Sequence, residues 1–220
     1  MIQFRRTGAV AERADIKQLR SEFNERHCVV IRQLLEPQLL AWIQSSVDRA
    51  QWKEEIHEGI GVENVLDGGP VLQLLHLIAN ASVLLEAVHE ITACGPFTWF
   101  GGRVYRMLPN SDHHDSWHDD AMDGRLVGLS VNLSERRYLG GLFRLRERGS
   151  NRALVEIANT GMGDAILFRI SDQLEHEITS VHGRESKTAF AGWFKSNEPT
   201  LLRRLQAGKE QIRESVQESD

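Results

Sequence analysis

The spacing of apolar residues along the chain changes near residue 96, from helix-like to strand-like. Before that point, apolar positions recur every three or four residues amid charged ones, the pattern of amphipathic helices. A β-branched run at 28–31 interrupts this pattern and predicts a strand. The predicted helices cover 10–27, a stretch that opens at Pro37 and fades near Lys53, and 71–91.

Beyond residue 96 the period falls toward two, and aromatic and β-branched residues replace leucine and alanine. Turn signals rich in Gly, Asn, Asp and Ser separate the runs. The predicted strands are 97–108, 126–134, 141–146, 153–157, 165–169, 177–181 and 187–194. Many short strands with even punctuation predict a mainly β fold, a double-stranded β-helix (a cupin-like jelly roll) with the N-terminal helices packed on one sheet.

Two segments flank these regular parts. Residues 57–70 hold four glycines and a proline with no clear period, which predicts a loop that serves either as a lid or as a plain connector. The charged segment 197–220 has apolar residues at loose helical spacing and predicts a peripheral helix or an oligomer contact. We therefore expect one domain over 1–220, with a mostly helical part at 1–95 and a β-helix core at 96–196.

Composition narrows the class of protein. The chain has 220 residues, 41% of them hydrophobic and 26% charged, which is ordinary for a soluble globular domain. A net charge of −5 gives no global case for nucleic acid or an anionic membrane as partner. Two cysteines without a CxxC spacing, no signal peptide and no long apolar run favour a cytoplasmic protein.

The candidate chemistry centres on His118, Asp120 and His176. Side chains two residues apart on an extended strand leave the same face, so His118 and Asp120 would point into one cavity. His176 lies in another strand-like run. Two histidines and one carboxylate form the facial triad of non-heme Fe(II) oxygenases, which leaves positions open for substrates.

A competing HxD pattern, His113-His114-Asp115, lies just upstream. We favour the pair at 118 and 120 because a turn at 122–125 follows it closely and leads straight into the next strand. Asp119 should then point away from the site. His113 and His114 would lie on a mouth loop, either in contact with substrate or simply exposed.

Three further motifs accompany the triad, and their order is informative. They are Tyr138-Leu139-Gly140-Gly141-Leu142-Phe143 between its two halves, Gly163-Asp164-Ala165-Ile166-Leu167-Phe168 ahead of His176, and a basic residue with the strand 187–194 behind it. With the HxD pair, they resemble the Fe(II)/2-oxoglutarate-dependent dioxygenase superfamily, in its prolyl-hydroxylase-like and phytanoyl-hydroxylase-like branches. The resemblance covers about 96–196.

The resemblance implies Fe(II) held by the triad, with 2-oxoglutarate and O2 as co-substrates and ascorbate as an optional reductant. It also implies a cation for the distal carboxylate of 2-oxoglutarate, six residues before a Trp. That position is Lys187, six before Trp193, with Arg184 as the alternative and a snorkelling strand lysine as the structural reading. Tyr105 is where the family often places a tyrosine on 2-oxoglutarate, although a buried tyrosine bonded elsewhere fits as well.

The resemblance implies an enzyme that hydroxylates an unactivated C–H of a small molecule, an amino acid or a peptide side chain, releasing succinate and CO2. Asp120 favours hydroxylation, since related halogenases replace this carboxylate. The alternatives are desaturation, cyclisation or demethylation by the same iron chemistry, or a non-catalytic cupin-like binding module. Arginines clustered between Arg136 and Arg152 favour a solvated outer strand face over a site for an anionic substrate.

Overall fold

The structure is a computed structural model that describes residues 2–57 and 61–196. The helices are α1 (Arg13–Arg26), α2 (Pro37–Asp48), α3 (Pro70–Ala79) and α4 (Ser82–Thr92). The first five strands are β1 (Ile2–Arg5), β2 (Gly8–Ala11), β3 (Cys28–Ile31), β4 (Trp52–His57) and β5 (Gly61–Leu66). The remaining strands are β6 (Trp99–Met107), β7 (Asp115–His118), β8 (Arg125–Asn132), β9 (Leu139–Gly140), β10 (Phe143–Glu147), β11 (Ala153–Ile157), β12 (Ala165–Arg169), β13 (Leu174–Ile178), β14 (Val181–His182) and β15 (Lys187–Lys195).

Two antiparallel sheets form the core of the molecule. The larger sheet has seven strands in the order β3-β12-β8-β15-β6-β5-β4, and the smaller has four in the order β11-β10-β13-β7. Short pairs, β1 with β2 and β9 with β14, complete the described strands. The predicted double-sheet jelly roll is thus confirmed.

The central part of the larger sheet is buried on both faces, as strand β12 shows. Ala165 and Leu167 pack into the cluster formed with the N-terminal helices. Ile166 and Phe168, which alternate with them, pack into a second cluster between the two sheets. This explains why the strand reads as a continuous apolar run in the sequence. It also confirms that the helices cover one sheet and leave the space between the sheets for a site.

The N-terminal part differs from prediction in two places. Residues 8–11 form β2, paired with β1, and α1 begins only at Arg13. The single helix predicted over 71–91 is two helices that break at Asn80. The Asn80 side chain binds the backbone N–H and carbonyl of Phe100 at 2.7 and 3.1 Å, which ties the break to β6.

The predicted loop at 57–70 is largely wrong. Strands β4 and β5 pair as a hairpin, and β5 joins the larger sheet beside β6, with Val65 opposite Tyr105. The loop was predicted because of the four glycines. The residues between them nevertheless alternate in burial as in a strand, with Glu63 and Val65 buried. The described part of this segment is therefore a fixed wall of the sheet rather than a lid. The helix predicted in 197–220 lies outside the described residues.

Strand β13 spans Leu174–Ile178, several residues earlier than the predicted 177–181. His176 thus lies in the middle of β13. Among the described residues no single helix has the length and apolarity to cross a membrane. Helices α3 and α4 meet that criterion only together, with a bend of 49° between them.

Candidate metal centre and its cavity

Three side chains converge where β7 and β13 of the smaller sheet pair. His176 lies directly opposite His118 across the two strands. Asp120 Oδ2 lies 3.7 Å from His118 Nε2 and 3.5 Å from His176 Nε2. Two ligands that each bind an ion at about 2.1 Å cannot be more than about 4.2 Å apart, so these atoms fit one divalent ion. Within 2–57 and 61–196, this is the group of His, Asp, Glu or Cys side chains that converges on one point.

The route by which Asp120 reaches the site is not the predicted strand alternation. Strand β7 ends at His118, and Asp120 follows it with a φ of 57°, in the left-handed region. This backbone conformation places the carboxylate beside both histidines, and a tight turn follows, in which Met122 N–H donates to the Asp120 carbonyl at 2.7 Å. Asp119 turns the other way, as expected, and pairs with Arg148.

Two residues from the larger sheet hold the Asp120 carboxylate. Arg125 Nη1 donates to Oδ1 at 2.6 Å, and Trp193 Nε1 donates to Oδ2 at 2.6 Å. The Arg125 guanidinium also stacks 3.7 Å above the Trp193 ring, so the two donors support each other. Sequence reasoning missed Arg125. Its one signal was its place at the end of the turn that follows the triad's first half.

The charges of the triad are strongly coupled. Burial acts to raise the pKa of Asp120, but hydrogen bonds from His118 and His176 hold it far below the usual range. Burial acts to lower the pKa of His118, yet Asp120 and Asp115 raise it to about 9. Burial lowers the pKa of His176. A cation is therefore favoured beside an ionised Asp120, and a bound metal would take the place of the proton.

The triad opens into a cavity of about 70 Å³ between the two sheets. Its apolar wall includes Phe143 and Phe168, and the Phe168 ring lies 4.6 Å from the His176 ring. Its charged and polar wall consists of Glu63, Arg103, Tyr105, His113, Asp115, Asp120, Ser130 and His176. A mostly apolar cleft with a few convergent polar groups is the usual form of a small-molecule site.

Lys187 lies on β15, buried to 5% exposure, and its Nζ donates to the Gly141 carbonyl at 3.0 Å. Burial lowers its pKa to about 8. It lines a smaller cavity that shares Ser130 and Ile178 with the metal-side cavity. Arg184, the alternative cation, is exposed in the turn between β14 and β15. The structure therefore brings Lys187 toward the site and leaves Arg184 outside it.

The wall beside Lys187 contains one predicted residue and one missed pair. Tyr105 is buried in the cavity wall, and burial raises the pKa of its hydroxyl. Arg103, on the same face, binds Glu63 at two points, with distances of 2.9 and 2.8 Å. Glu63 lies in the segment predicted as a loop, where no local pattern indicates a site residue.

The residues of the competing HxD pattern, His113 and Asp115, line the cavity but are not part of the converging triad. His113 is 3% exposed rather than exposed at a mouth loop, and burial lowers its pKa to about 4. Both residues thus face the space beside the metal ligands.

Two of the clustered arginines, Arg144 and Arg146, lie on β10 of the smaller sheet and alternate with its buried residues. Arg144 pairs with Glu156 and Glu177, and Arg146 pairs with Glu175 and stacks on Trp117 at 3.9 Å. These ion pairs agree with the solvated outer face favoured from the sequence. They also show that Trp117 faces outward, away from the cavity.

Comparison with known proteins agrees with this geometry. The family model of the 2OG-Fe(II) oxygenase superfamily matches residues 102–195. A search of curated proteins found no sequence match. Three solved structures share the fold at low identity. An oxidoreductase of the 2OG-Fe(II) oxygenase family from Burkholderia pseudomallei has 14% identity and a TM-score of 0.67, over 86% of this chain and 94% of that one.

The second structure is a prolyl-4-hydroxylase from Pseudomonas putida, with 14% identity and a TM-score of 0.65 over 83% of this chain and all of that one. The third is the non-heme alpha ketoglutarate-dependent epimerase of nogalamycin biosynthesis, with 10% identity and a TM-score of 0.64 over 84% of each chain. These neighbours carry different reactions on one architecture.

Proposed function

We propose that the chain, whose residues 102–195 match the family model of the 2OG-Fe(II) oxygenase superfamily, is an Fe(II)- and 2-oxoglutarate-dependent hydroxylase. The observation that carries the proposal is the convergence of His118, Asp120 and His176 within bonding range of one ion. When bound, iron with 2-oxoglutarate and O2 supplies the oxidant for an unactivated C–H bond, with release of succinate and CO2. Ascorbate would serve only to keep the iron reduced.

The residues of the site have separate roles in binding the metal and the co-substrate. His118, Asp120 and His176 supply an imidazole, carboxylate and imidazole set suited to Fe(II), and Cys28 and Cys94 are not placed among them. Lys187 meets the distal carboxylate of 2-oxoglutarate as a buried point charge, next to the small side chains of Ala189 and Ala191. Tyr105 contributes a hydroxyl from the neighbouring strand.

The outcome of the reaction depends on which substrate atom lies nearest the iron. Hydroxylation is our first choice because Asp120 is retained and clamped, which leaves no ligand position for a halide. An alternative outcome of the same chemistry is our second candidate, since a structural neighbour with a TM-score of 0.64 is an epimerase. Small molecules, amino acids and peptide side chains are all candidate substrates.

The proposal is tested by succinate release. Wild-type protein with Fe(II), 2-oxoglutarate and O2 should form succinate, slowly without a substrate and faster with one. Asp120→Ala should reduce the rate by at least about 100-fold while the far-ultraviolet circular dichroism stays unchanged. Asp112→Ala is the matched control, because Asp112 is a nearby carboxylate whose side chain is 90% exposed. Equal rates in wild type and Asp120→Ala would overturn the proposal.

A further inference from the structure

The cavity beside the metal ligands contains a carboxylate that the proposed chemistry does not use. Strand β7 pairs with β13 through a bulge, because His118 lies opposite His176 whereas Asp115 lies opposite Ile178. The extra residue in β7 brings Asp115 and His118 to the same face, although they are three residues apart. Asp115 Oδ1 lies 3.4 Å from His118 Nδ1, and the carboxylate lines the cavity.

The cations near Asp115 are committed elsewhere. Arg103 acts on it electrostatically but makes its two-point ion pair with Glu63. Lys187 is the proposed partner of 2-oxoglutarate. His118 donates from Nδ1 to the Ser116 carbonyl at 2.7 Å and becomes a neutral ligand when its Nε2 binds a metal. Among the described side chains, Asp115 is therefore paired with no lysine or arginine, and its carboxylate faces the cavity.

A second, independent acceptor faces the same cavity. His113 is only 3% exposed and lines the cavity. Its Nδ1 has no hydrogen-bond partner within the described chain. The ring also interacts with the backbone of Arg106, and burial keeps it neutral at physiological pH. A buried polar atom left without a partner costs free energy, so a ligand that donates a hydrogen bond there would be stabilised.

The Asp115 carboxylate and the His113 Nδ1 atom both accept hydrogen bonds. Together they favour a ligand group that donates hydrogen bonds and carries a positive charge. We propose that the substrate carries a protonated amine, which Asp115 binds as its counter-ion and His113 Nδ1 accepts as a second contact. This inference rests on the proposed function, because it names the substrate class of the same site. Arg103 would favour an anionic substrate group instead, and the test below separates the two.

The experiment uses the full chain, loaded anaerobically with Fe(II) and 2-oxoglutarate, and follows the visible charge-transfer band of that complex. Butylamine, 1-butanol and butyrate are the probes, since they share one carbon chain and differ in charge. We expect butylamine to perturb the band at a concentration at least tenfold lower than either of the others. If the band fails to form before any probe is added, the proposed function fails; if it forms, only the amine inference is at stake.

Asp115→Asn keeps the shape of the side chain and removes its charge, and it should raise the half-saturating concentration of butylamine at least tenfold. Asp112→Asn is the matched control on the exposed side of the same loop and should leave it unchanged. His113→Phe should weaken butylamine about threefold to tenfold. If Asp115→Asn does not load iron, His113→Phe is the variant that tests the proposal. An equal response to 1-butanol, a preference for butyrate, or unchanged butylamine binding in whichever of the two variants loads iron would overturn the proposal.

Discussion

Asp120 is fixed on both of its oxygens before any ion binds. Arg125 holds Oδ1 and Trp193 holds Oδ2, each at 2.6 Å, while the two histidines lie 3.7 and 3.5 Å from Oδ2. Groups that orient a metal ligand are commonly worth a factor of about 10–100 in metal affinity. At the scale of single residues, the site is thus a preorganised carboxylate rather than three flexible ligands.

Loss of the Arg125 clamp should therefore weaken metal binding. Arg125→Met removes the charge-assisted hydrogen bond, and we expect the Kd for Fe(II), measured anaerobically by calorimetry, to rise about 10–100-fold. Arg125→Lys should recover part of the loss. Arg136→Met removes an exposed arginine that pairs with Glu185 and should leave the Kd unchanged. Identical affinities for wild type and Arg125→Met would mean that the clamp does not act on the metal.

Some of these site residues can be predicted from the sequence, and others cannot. His118, Asp120 and His176 belong to local motifs, and Lys187 follows from a fixed spacing to Trp193 on one strand. Arg125 and Glu63 act through contacts that no local spacing encodes, since Arg125 depends on the turn at Asp120 and Glu63 reaches Arg103 across two strands. Asp120 does lie beside both histidines, but it reaches them through a left-handed backbone conformation and not through the predicted strand alternation.

The burial of Lys187 gives 2-oxoglutarate binding a pH dependence. Burial lowers the pKa of Lys187 to about 8, so the free protein loses this charge as the pH rises through that value. We expect the Kd for 2-oxoglutarate to be constant below pH 8 and to rise up to about tenfold per pH unit above it. The titration uses the Fe(II)-loaded protein, in which the metal takes the place of the His118 proton, whose pKa is raised to about 9 in the free protein. Nearby, His113 has a pKa of about 4 and Tyr138 one of about 12, so neither titrates in this window.

Lys187→Arg is the matched variant for this prediction, because a guanidinium stays charged across the whole range. Its Kd for 2-oxoglutarate should not rise between pH 8 and pH 9.5, whatever its absolute value. Calorimetric titrations at half-unit steps compare the two proteins directly. A wild-type Kd that stays flat to pH 9.5 would remove Lys187 from the carboxylate site.

At the scale of elements, a glycine on β8 makes room for the aromatic wall of the site. Gly128 lies opposite Phe168 of β12, and a Cβ at Gly128 would overlap the Phe168 ring. That ring packs 4.8 Å from Phe143 and 4.6 Å from His176, so the gap at Gly128 determines where a metal ligand rests. Two strands of the larger sheet thereby position a ligand on the smaller one.

Gly128→Ala should disturb the metal site without touching a ligand. The displaced Phe168 ring pushes toward His176, and overpacking of this kind costs about 1–3 kcal/mol. We expect a lower unfolding temperature and weaker Fe(II) binding by calorimetry. The double variant Gly128→Ala/Phe168→Leu restores space and should recover much of both losses. A double variant that is worse than the sum of its parts would contradict this packing account.

The elements themselves were predictable to different degrees. Strands β11 and β12 coincide with their predicted bounds because turn residues mark both ends. The β4–β5 hairpin was missed because glycines hide an alternating pattern whose partner, β6, lies far along the chain. The break between α3 and α4 was missed because Asn80 acts through a contact with Phe100, which the helical period of 71–91 does not reveal.

At the scale of the whole molecule, the candidate site exists only when both sheets are in place. The smaller sheet carries His118 and His176 on β7 and β13, while the larger sheet supplies Arg125, Trp193 and Lys187 on β8 and β15. The N-terminal helices pack on the outer face of the larger sheet and leave the inner face free for the cavity. Binding of metal and co-substrate therefore requires the assembled fold as well as the ligand side chains.

The most direct measurement is anaerobic titration of the full chain with Fe(II) and then 2-oxoglutarate, followed by visible absorption. We predict a charge-transfer band that saturates at one equivalent of each, is lost in His176→Ala, and persists in His182→Ala, whose histidine is exposed on β14. A folded wild-type protein that forms no band, or a band that survives His176→Ala undiminished, would contradict the assignment of this site to iron and 2-oxoglutarate.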